Sequence, residues 1–307
     1  MKKILLATTM IAAFAGAASA DVVTSGSARM GIANNGTDTF FTSRVRISFA
    51  GSGTTDGGLT FGAAMRADQN GGNGTTTLDL INVGPDGIAG TPDDFPETVV
   101  TAGDTGRTNG SSTVFISGAF GTLTMGDVAG GAADNLVGQV SGVGFTGLGD
   151  NNEIGFLGGS ATAARYDYTM GALSVSVGIG QPTAANKAKS VAVKYAAGNY
   201  SVALGYSDTA TDSQLDLKGT ATFGAANVAV RIANRDSAAD MAYAVSLGYS
   251  FSGIAVTAFS GTNVDFAGND TAGLGASYDL GGGASVAAGF ADNGTDTVYE
   301  AGVSMKF

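Results

Sequence analysis

The 307-residue sequence contains no cysteine, no histidine and no tryptophan. Without histidine, the Ser-His-Asp and Cys-His catalytic arrangements and every histidine-ligated metal site are excluded. Without cysteine, no disulfide can form, although disulfides are common in exported proteins. After the first twenty residues no segment reaches the ~18 consecutive apolar residues that a membrane-spanning helix needs. These absences exclude most hydrolase mechanisms, and we expect the protein not to be an enzyme.

Glycine and acidic residues are abundant. The chain has 50 glycines, and 44% of its residues are hydrophobic, an apolar content that argues against a disordered Gly-rich chain. Acidic residues outnumber basic residues by 26 to 15. This balance argues against a nucleic-acid partner, because polyanions bind basic surfaces.

The first twenty residues have the pattern of a Sec signal peptide. Lys2 and Lys3 precede the apolar stretch 4–17, and Ala18-Ser19-Ala20 provides small residues at a cleavage site. We predict that residues 1–20 are removed and that residues 21–307 form a single exported domain. Removing Lys2 and Lys3 from the 15 basic residues leaves 13 against 26 acidic residues, a net charge near −13.

The rest of the chain alternates apolar and polar residues, which is typical of β-strands with two unlike faces. In Tyr243–Phe251 the odd positions are large and apolar, whereas the even positions are Ala, Ser and Gly. About sixteen such runs are present. Besides Tyr243, they begin near Val22, Phe41, Leu59, Ser112, Thr122, Ala163, Leu173, Ser190, Tyr200, Leu215, Asn227, Ile254, Thr271, Ala284 and Thr297.

The connections between these runs alternate between very short and longer segments, and two are much longer, at about 69–110 and 127–162. An even number of strands with short turns at one end and long loops at the other predicts an all-β transmembrane antiparallel barrel of about 16 strands. A soluble β-sandwich would pack its apolar face inward. The lumen of so large a barrel is too wide for apolar side chains to fill, so we expect the apolar face to meet lipid and the polar face to enclose water.

Aromatic residues support this orientation. They occupy the apolar register at or near the ends of the predicted strands, as in the aromatic girdles of outer-membrane barrels. The last run alternates as far as the C-terminal Phe307, whereas soluble domains usually end in frayed polar residues. These aromatics are Tyr200, Tyr206, Tyr243, Tyr249, Phe251, Tyr278, Tyr299 and Phe307.

Four segments resemble the Rhodobacter-type general porins of α-proteobacteria. They are SGSARMGI (25–32), SRVRISFAGSGTTDGGLTFGA (43–63), STVFISGAFGTLTMGD (112–127) and GLGASYDLGGGASVAAGFADN (273–293). The resemblance implies a homotrimer of 16-stranded barrels in outer-membrane lipid and lipopolysaccharide. It also implies an extracellular loop that folds inward, here about 127–162. The connection 69–110 departs from the family pattern, since it is longer and richer in Gly and Pro.

Basic residues on the polar register are the candidate pore-lining residues. They should face acidic residues on the infolded loop, and a transverse electric field at the narrowest point would select solutes by charge and polarity. A solvated lumen charge without a particular partner is the alternative. The basic candidates are Arg29, Arg44, Arg46, Arg66, Arg165, Arg231 and Arg235, and the acidic candidates are Asp127, Asp134, Asp150 and Glu153.

The connection 69–110 contains an acidic, Gly-rich stretch. Its carboxylates Asp86, Asp93, Asp94 and Glu97 could hold Ca²⁺ in an extracellular loop, because calcium prefers oxygen ligands. The fixed spacing of an EF-hand is missing, and a plain solvated loop is the alternative. No other cofactor is expected.

Three functions compete at this stage. The first is a general pore for small hydrophilic solutes and ions, mildly cation-preferring because of the net charge. The second is a substrate-specific outer-membrane channel, which would need a track of aromatic or carboxylate side chains on the polar register. The third is an outer-membrane enzyme or adhesin. The absence of histidine and of an aromatic track favours the first.

Overall fold

The computed structural model describes residues 21–71, 74–82, 95–103, 107–128, 131–144, 153–157, 163–181 and 188–307. The predicted signal peptide lies outside these ranges. Within them the chain forms eighteen strands and one short helix. The strands are β1 (Asp21–Asn34), β2 (Thr39–Thr54), β3 (Thr60–Gly71), β4 (Gly74–Asn82), β5 (Phe95–Gly103), β6 (Arg107–Gly118), β7 (Gly121–Gly126), β8 (Ala163–Met170), β9 (Leu173–Gly180), β10 (Lys189–Ala197), β11 (Tyr200–Asp208), β12 (Ser213–Phe223), β13 (Ala226–Arg235), β14 (Ala242–Phe251), β15 (Ile254–Thr262), β16 (Thr271–Gly281), β17 (Ala284–Asp292) and β18 (Thr297–Lys306), and the helix is α1 (Gly131–Leu136).

Sixteen of the strands form one closed antiparallel barrel, which confirms the predicted fold class and strand number. Each strand pairs with its neighbour along the chain, except that β3 pairs with β6. The barrel closes where β1 pairs with β18, from Ser27 opposite Lys306 to Asn34 opposite Tyr299. Phe307 extends this ladder, since its amide nitrogen donates to the carbonyl oxygen of Gly26 at 3.0 Å. Closure leaves no unpaired strand edge in the barrel, as a barrel in lipid requires.

The two ends of the barrel differ in their connections, as predicted. At the end where β1 begins and β18 ends, the turns 119–120, 171–172, 198–199, 224–225, 252–253 and 282–283 are tight. The remaining turn at that end, 55–59, is also short. At the opposite end the connections include 127–162 and the long segment between β3 and β6. This asymmetry is the one seen between periplasmic turns and extracellular loops in outer-membrane barrels.

The connection predicted at 69–110 is long, but it is shorter than predicted and contains two strands. Strand β3 continues to Gly71 and β6 begins at Arg107, five residues before the predicted start. Between them, β4 and β5 form a separate two-stranded antiparallel sheet in which Leu78 lies opposite Val99. The Gly- and Pro-rich composition suggested a loop, but Thr, Leu and Val near the ends of the segment favour paired strands.

The large apolar side chains point outward from the barrel, which confirms the predicted orientation. In β14, Tyr243 and Leu247 are 45% and 58% exposed, whereas the intervening Ala244 and Ser246 are 3% and 0% exposed. The eight aromatics assigned to the girdles are all exposed on this outer face. Such a surface is stable only against an apolar surrounding, because exposing it to water is unfavourable. No helix in the described part of the chain is both long and apolar enough to cross a membrane.

Candidate functional site

The connection after β7 turns into the barrel. Asp127 lies half-buried at its start, where the backbone nitrogen donates to the carbonyl oxygen of Ser112 at 2.8 Å. This contact holds Asp127 on the wall beside β6. Asp127 therefore marks the point where the loop leaves the wall and does not lie on its infolded section.

Helix α1 lies inside the barrel against β8 to β11. The amide of Ala132 donates to Ser190 Oγ of β10 at 2.7 Å, and Asn135 Nδ2 donates to Asp167 Oδ1 of β8 at 2.8 Å. Ala132 and Ala133 are completely buried between the helix and the wall. The small residues of this helix thus allow it to pack flat against the inner face.

Two glycines on the wall provide the space for this close packing. A Cβ atom added at Gly178 of β9 would lie 3.0 Å from the amide nitrogen of Ala132. A Cβ atom added at Gly205 of β11 would lie 2.9 Å from the side chains of Ala133 and Val137. Glycine is needed at both positions because a side chain would push the helix off the wall.

Beyond α1 the loop continues around the inner wall. The amide of Ser141 donates to Ser246 Oγ of β14 at 3.1 Å. Val143 then lies against Gly275 of β16, and Gly144 lies against the carboxylate of Glu300 on β18. The described part of the loop therefore runs from β8 to β18, and the prediction that 127–162 folds into the lumen is confirmed for these residues.

The return limb, 153–157, meets the wall at β12 and β13. There Arg231 donates to the carbonyl oxygen of Ile154 at 2.6 Å and to Asp216 Oδ1 at 2.6 Å. Both Arg231 and Asp216 are fully buried. Arg231 was predicted to be a pore-lining or constriction residue. Its side chain points inward, as its register predicts, but the loop covers this part of the wall and the side chain is 0% exposed.

Four other predicted arginines converge on the wall formed by β1, β2 and β3. Arg46 donates to Asp68 of β3 through two nitrogens, from Nε to Oδ1 at 3.0 Å and from Nη2 to Oδ2 at 3.1 Å. Arg66 Nε lies 2.9 Å from the same Oδ1. Arg29 lies directly opposite Arg44 in the β1–β2 ladder. We call Arg29, Arg44, Arg46 and Arg66, with Asp68, the arginine cluster.

The arginine cluster carries four positive charges and one negative charge. Like charges directly opposite each other in a ladder are destabilising, so the pairing of Arg29 with Arg44 has a cost in stability. The side chains of Arg46 and Arg66 are 28% and 33% exposed, so they reach the lumen. The cluster therefore produces a net positive potential on this part of the wall.

The order of the strands places this cluster across the lumen from the loop. In the closed ring of sixteen strands, β12 is eight strands away from β2, which is half of the ring. The wall that holds the return limb is thus opposite the wall that holds Arg44 and Arg46. A solute that crosses the barrel between these two walls passes between the infolded loop and the arginine cluster.

Two of the predicted acidic partners, Asp134 and Glu153, lie on the loop side of the lumen. Asp134 is on α1, with Arg165 and Arg231 as its electrostatic neighbours, and Glu153 lies near Arg231. The side chain of Asp134 is exposed. Partial desolvation by the surrounding protein nevertheless raises the pKa of Asp134, although Arg231 and Arg165 oppose the shift. Asp150 lies outside the described residues.

Arg165 of β8 points inward, as predicted, but it is bound to a neighbour. Its Nε donates to Asp167 Oδ2 at 2.9 Å. Asp167 also accepts a hydrogen bond from Ser176 Oγ at 2.6 Å, besides the one from Asn135. Arg165 thus belongs to the group of side chains that hold α1 in place.

Sequence reasoning missed the residues that bind these arginines. Asp68 and Asp216 were not candidates, although Asp216 lies between Leu215 and Leu217 and Asp68 lies two positions from Arg66, so both share the inward register. Gln139 and Gln214 were also missed. Gln214 accepts from Arg235 Nη2 at 2.7 Å. The inward register of Asp68 and Asp216 was the available signal.

The possible calcium site lies mostly outside the described residues, where Asp86, Asp93 and Asp94 fall. Glu97 is on β5, paired with Leu80 of β4. Among the described residues, no group of three or more Asp, Glu, His or Cys side chains could hold a metal ion. Calcium binding in 69–110 remains a prediction.

Comparison with known proteins gives one consistent result. Residues 7–298 match the family of Gram-negative porins. A porin of Rhodobacter capsulatus is 36% identical over 335 aligned positions, which cover 94% of this chain and all of that protein. This chain belongs to the Gram-negative porin family.

Solved structures agree with this assignment. One porin structure, 32% identical, covers 94% of this chain and 100% of its own, with a TM-score of 0.70. A mutant of the Rh. blastica porin, 19% identical, reaches a TM-score of 0.72 over the same share of this chain and shows the likeness of the fold alone. The chain is accordingly a multi-pass β-barrel of the outer membrane that forms a passive diffusion channel.

Proposed function

We propose that this porin is a general, non-catalytic pore for small hydrophilic solutes and ions, and that its narrowest passage lies between the infolded loop and the arginine cluster. The observation that carries the proposal is the cluster itself, which places four arginines and one acid on one wall, opposite the loop. Charges fixed on one side of a narrow aqueous passage orient water and favour polar solutes over apolar solutes. We assign Arg29, Arg44, Arg46 and Arg66 this role.

The acids on the opposite side would complete a transverse field. Asp134 and Glu153 are the described members of this set, and Asp150 is assigned to it from the sequence. Asp127, at the start of the loop, is assigned to the pore wall. The field would act within about a Debye length, ~8 Å at physiological ionic strength, so only solutes in the constriction would experience it.

We further propose a mild preference for cations. The predicted mature chain carries a net charge near −13, from 13 basic and 26 acidic residues. Long-range potential from this excess raises the local concentration of cations at the channel mouths. The arginine cluster opposes this effect locally, and for that reason we expect the preference to be mild.

Planar-bilayer recording tests these proposals. The purified protein should insert in discrete conductance steps whose size increases in proportion to the salt concentration. A salt gradient across the bilayer should then give a zero-current potential of the sign for cation preference. A potential of the opposite sign would refute the cation preference alone. A saturable block of the current by one class of solute would instead support a substrate-specific channel.

We also propose that the barrels form homotrimers in outer-membrane lipid and lipopolysaccharide, as the resemblance to Rhodobacter-type porins implies. Chemical cross-linking in detergent, followed by gel electrophoresis, should give a limiting species of three chains. A limiting monomer would contradict the trimer but not the pore.

A further inference from the structure

The buried pair of Arg231 and Asp216 lies beneath the infolded loop. The two side chains come from neighbouring strands, β13 and β12, and both are 0% exposed. Arg231 Nη2 donates to Asp216 Oδ1 at 2.6 Å. An ion pair removed from water in this way is seldom more stable than an apolar pair of similar volume.

The second terminal nitrogen of Arg231 contacts both limbs of the loop. Nη1 donates to Oε1 of Gln139, on the outgoing limb, and to the carbonyl oxygen of Ile154, on the return limb, at 2.6 Å. The aromatic ring of Phe156 covers the guanidinium, with its centroid 3.7 Å from Cζ. One side chain thus holds two segments that are fifteen residues apart in sequence.

The two limbs are also joined to each other. Gln139 Nε2 donates to the carbonyl oxygen of Ile154 at 2.9 Å, and the amide of Ile154 donates to Gln139 Oε1 at 3.2 Å. These two bonds join the outgoing limb at Gln139 to the return limb at Ile154. We call this junction of Gln139 and Ile154, which lies on Arg231, the neck of the loop.

Neighbouring side chains reinforce the neck from the same wall. Lys218 Nζ donates to the carbonyl oxygen of Gln139. Gln214 Nε2 donates to the carbonyl oxygen of Gly155 at 2.9 Å and also contacts Asp216. Helix α1, by contrast, is held separately by Ser190 and Asp167. Release of the neck would therefore leave the start of the loop and the barrel in place.

We propose that Arg231 is a positioning residue that fixes the described limbs of the infolded loop, 139–144 and 153–157, against the wall at β12 and β13, and so sets the steady open level of the pore. Asp216 keeps the guanidinium charged and oriented, and Gln139 transmits its position to the outgoing limb. The inference deepens the proposed function, since it rests on the loop forming the narrow passage.

The test compares the wild type with R231M and R231K in planar bilayers. Met removes the charge and the donors. Lys keeps the charge beside Asp216 but lacks the planar fork that reaches both limbs. The current through both variants should leave the main open level for lower or higher levels far more often than in the wild type. R231M should spend roughly tenfold or more time away from that level, because a broken buried pair leaves polar groups without partners. R231K should lie between R231M and the wild type.

A matched control is K194M, which removes a positive charge from the lumen side of β10 without removing a hydrogen bond to any described loop residue. It should keep the steady level of the wild type. A steady R231M channel, indistinguishable from K194M, would overturn the proposal. If R231M fails to form barrels, Q139A decides the question, since it weakens the same neck from the loop and leaves the wall unchanged.

A disulfide rescue separates positioning from general damage. The chain has no cysteine, so S141C and S246C introduced together into R231M provide one possible disulfide, at a contact where loop and wall already meet. The oxidised protein should regain the steady level and lose it again on reduction. Failure of oxidation to restore the level, with the disulfide shown by mass spectrometry, would count against the proposal. Absence of any conductance in the wild type would instead contradict the pore itself.

Discussion

The walls at β1–β3 and at β12–β13 both carry arginines on the inward register, yet they use them differently. On β1–β3, Arg46 and Arg66 share one carboxylate and remain about one-third exposed to the lumen. On β12–β13, Arg231 is fully buried and bonded to a carboxylate, a side-chain amide and a backbone carbonyl. We propose that the first set acts on solutes that pass through the pore, whereas the second set positions the loop. The difference lies in what covers the wall, which the alternation of residues does not specify.

The largest expected effect comes from breaking the buried pair at its acid. D216L should lower the free energy of unfolding by about 3–5 kcal/mol, because Arg231 would keep its charge in a buried site without its carboxylate. D68L should cost less, about 1–3 kcal/mol, since the arginines it leaves are partly exposed and water can replace the carboxylate. Urea unfolding in lipid vesicles, followed by circular dichroism, measures both. Equal losses of unfolding free energy in D216L and D68L would contradict the difference in burial between the two walls.

The next effect concerns selectivity and should appear on the other wall. Replacing Arg44, Arg46 and Arg66 together by Gln removes three positive charges from the lumen, so the permeability ratio of cation to anion should rise several-fold. The zero-current potential in a salt gradient reports this ratio. R231M serves as the comparison and should change the ratio much less, because its charge is buried against Asp216. A triple variant with the selectivity of the wild type would show that the cluster does not face the ion path.

A smaller effect, on conductance, is expected where α1 packs against the wall. G205V would place a side chain where even a Cβ atom lies 2.9 Å from Ala133, so the helix should shift toward the lumen and the single-channel conductance should fall. G219V is a matched control in β12, where an added Cβ atom has no heavy atom within 4 Å. A fall in conductance of the same size in G219V would assign the effect to the strand and not to the helix.

The smallest effect should be a pH dependence from Asp134. Partial desolvation raises the pKa of Asp134, so acidification neutralises this carboxylate at a higher pH than ordinary aspartates. The cation preference of the wild type should therefore begin to weaken above the usual range of aspartate titration. D134N, which lacks this charge at every pH, should show no such early step. Zero-current potentials measured along a pH series compare the two, and identical profiles would exclude a contribution of Asp134 to selectivity.

Much of the fold could be predicted from the sequence because alternation with period two fixes which side of a strand is apolar. The run Tyr243–Phe251 alone indicated an outward apolar face, and β14 has that orientation. The same register placed the arginines inside the barrel. Strands β4 and β5 were missed because the glycines and prolines in the sequence between them outweighed the weaker strand signal.

The partners of the arginines could not be predicted in the same way. Arg231 and Gln139 are 92 residues apart in sequence, and no local pattern reports that they meet. The covering of Arg231 by Ile154 and Phe156 likewise depends on the path of the loop in three dimensions. Asp68 was within reach of a register argument, because it lies two positions from Arg66 on the same face.

The central claim is that polar faces of the strands enclose the ion path while apolar faces meet lipid. Single cysteines along β2, in this cysteine-free chain, test it directly through a charged, water-soluble thiol reagent applied during bilayer recording. The reagent should lower the current stepwise in T42C and S48C, because the side chains at these positions face the lumen. It should leave the current unchanged in V45C and F49C, because Val45 and Phe49 are exposed on the outer face. Current loss in V45C and F49C, with none in T42C and S48C, would contradict the account.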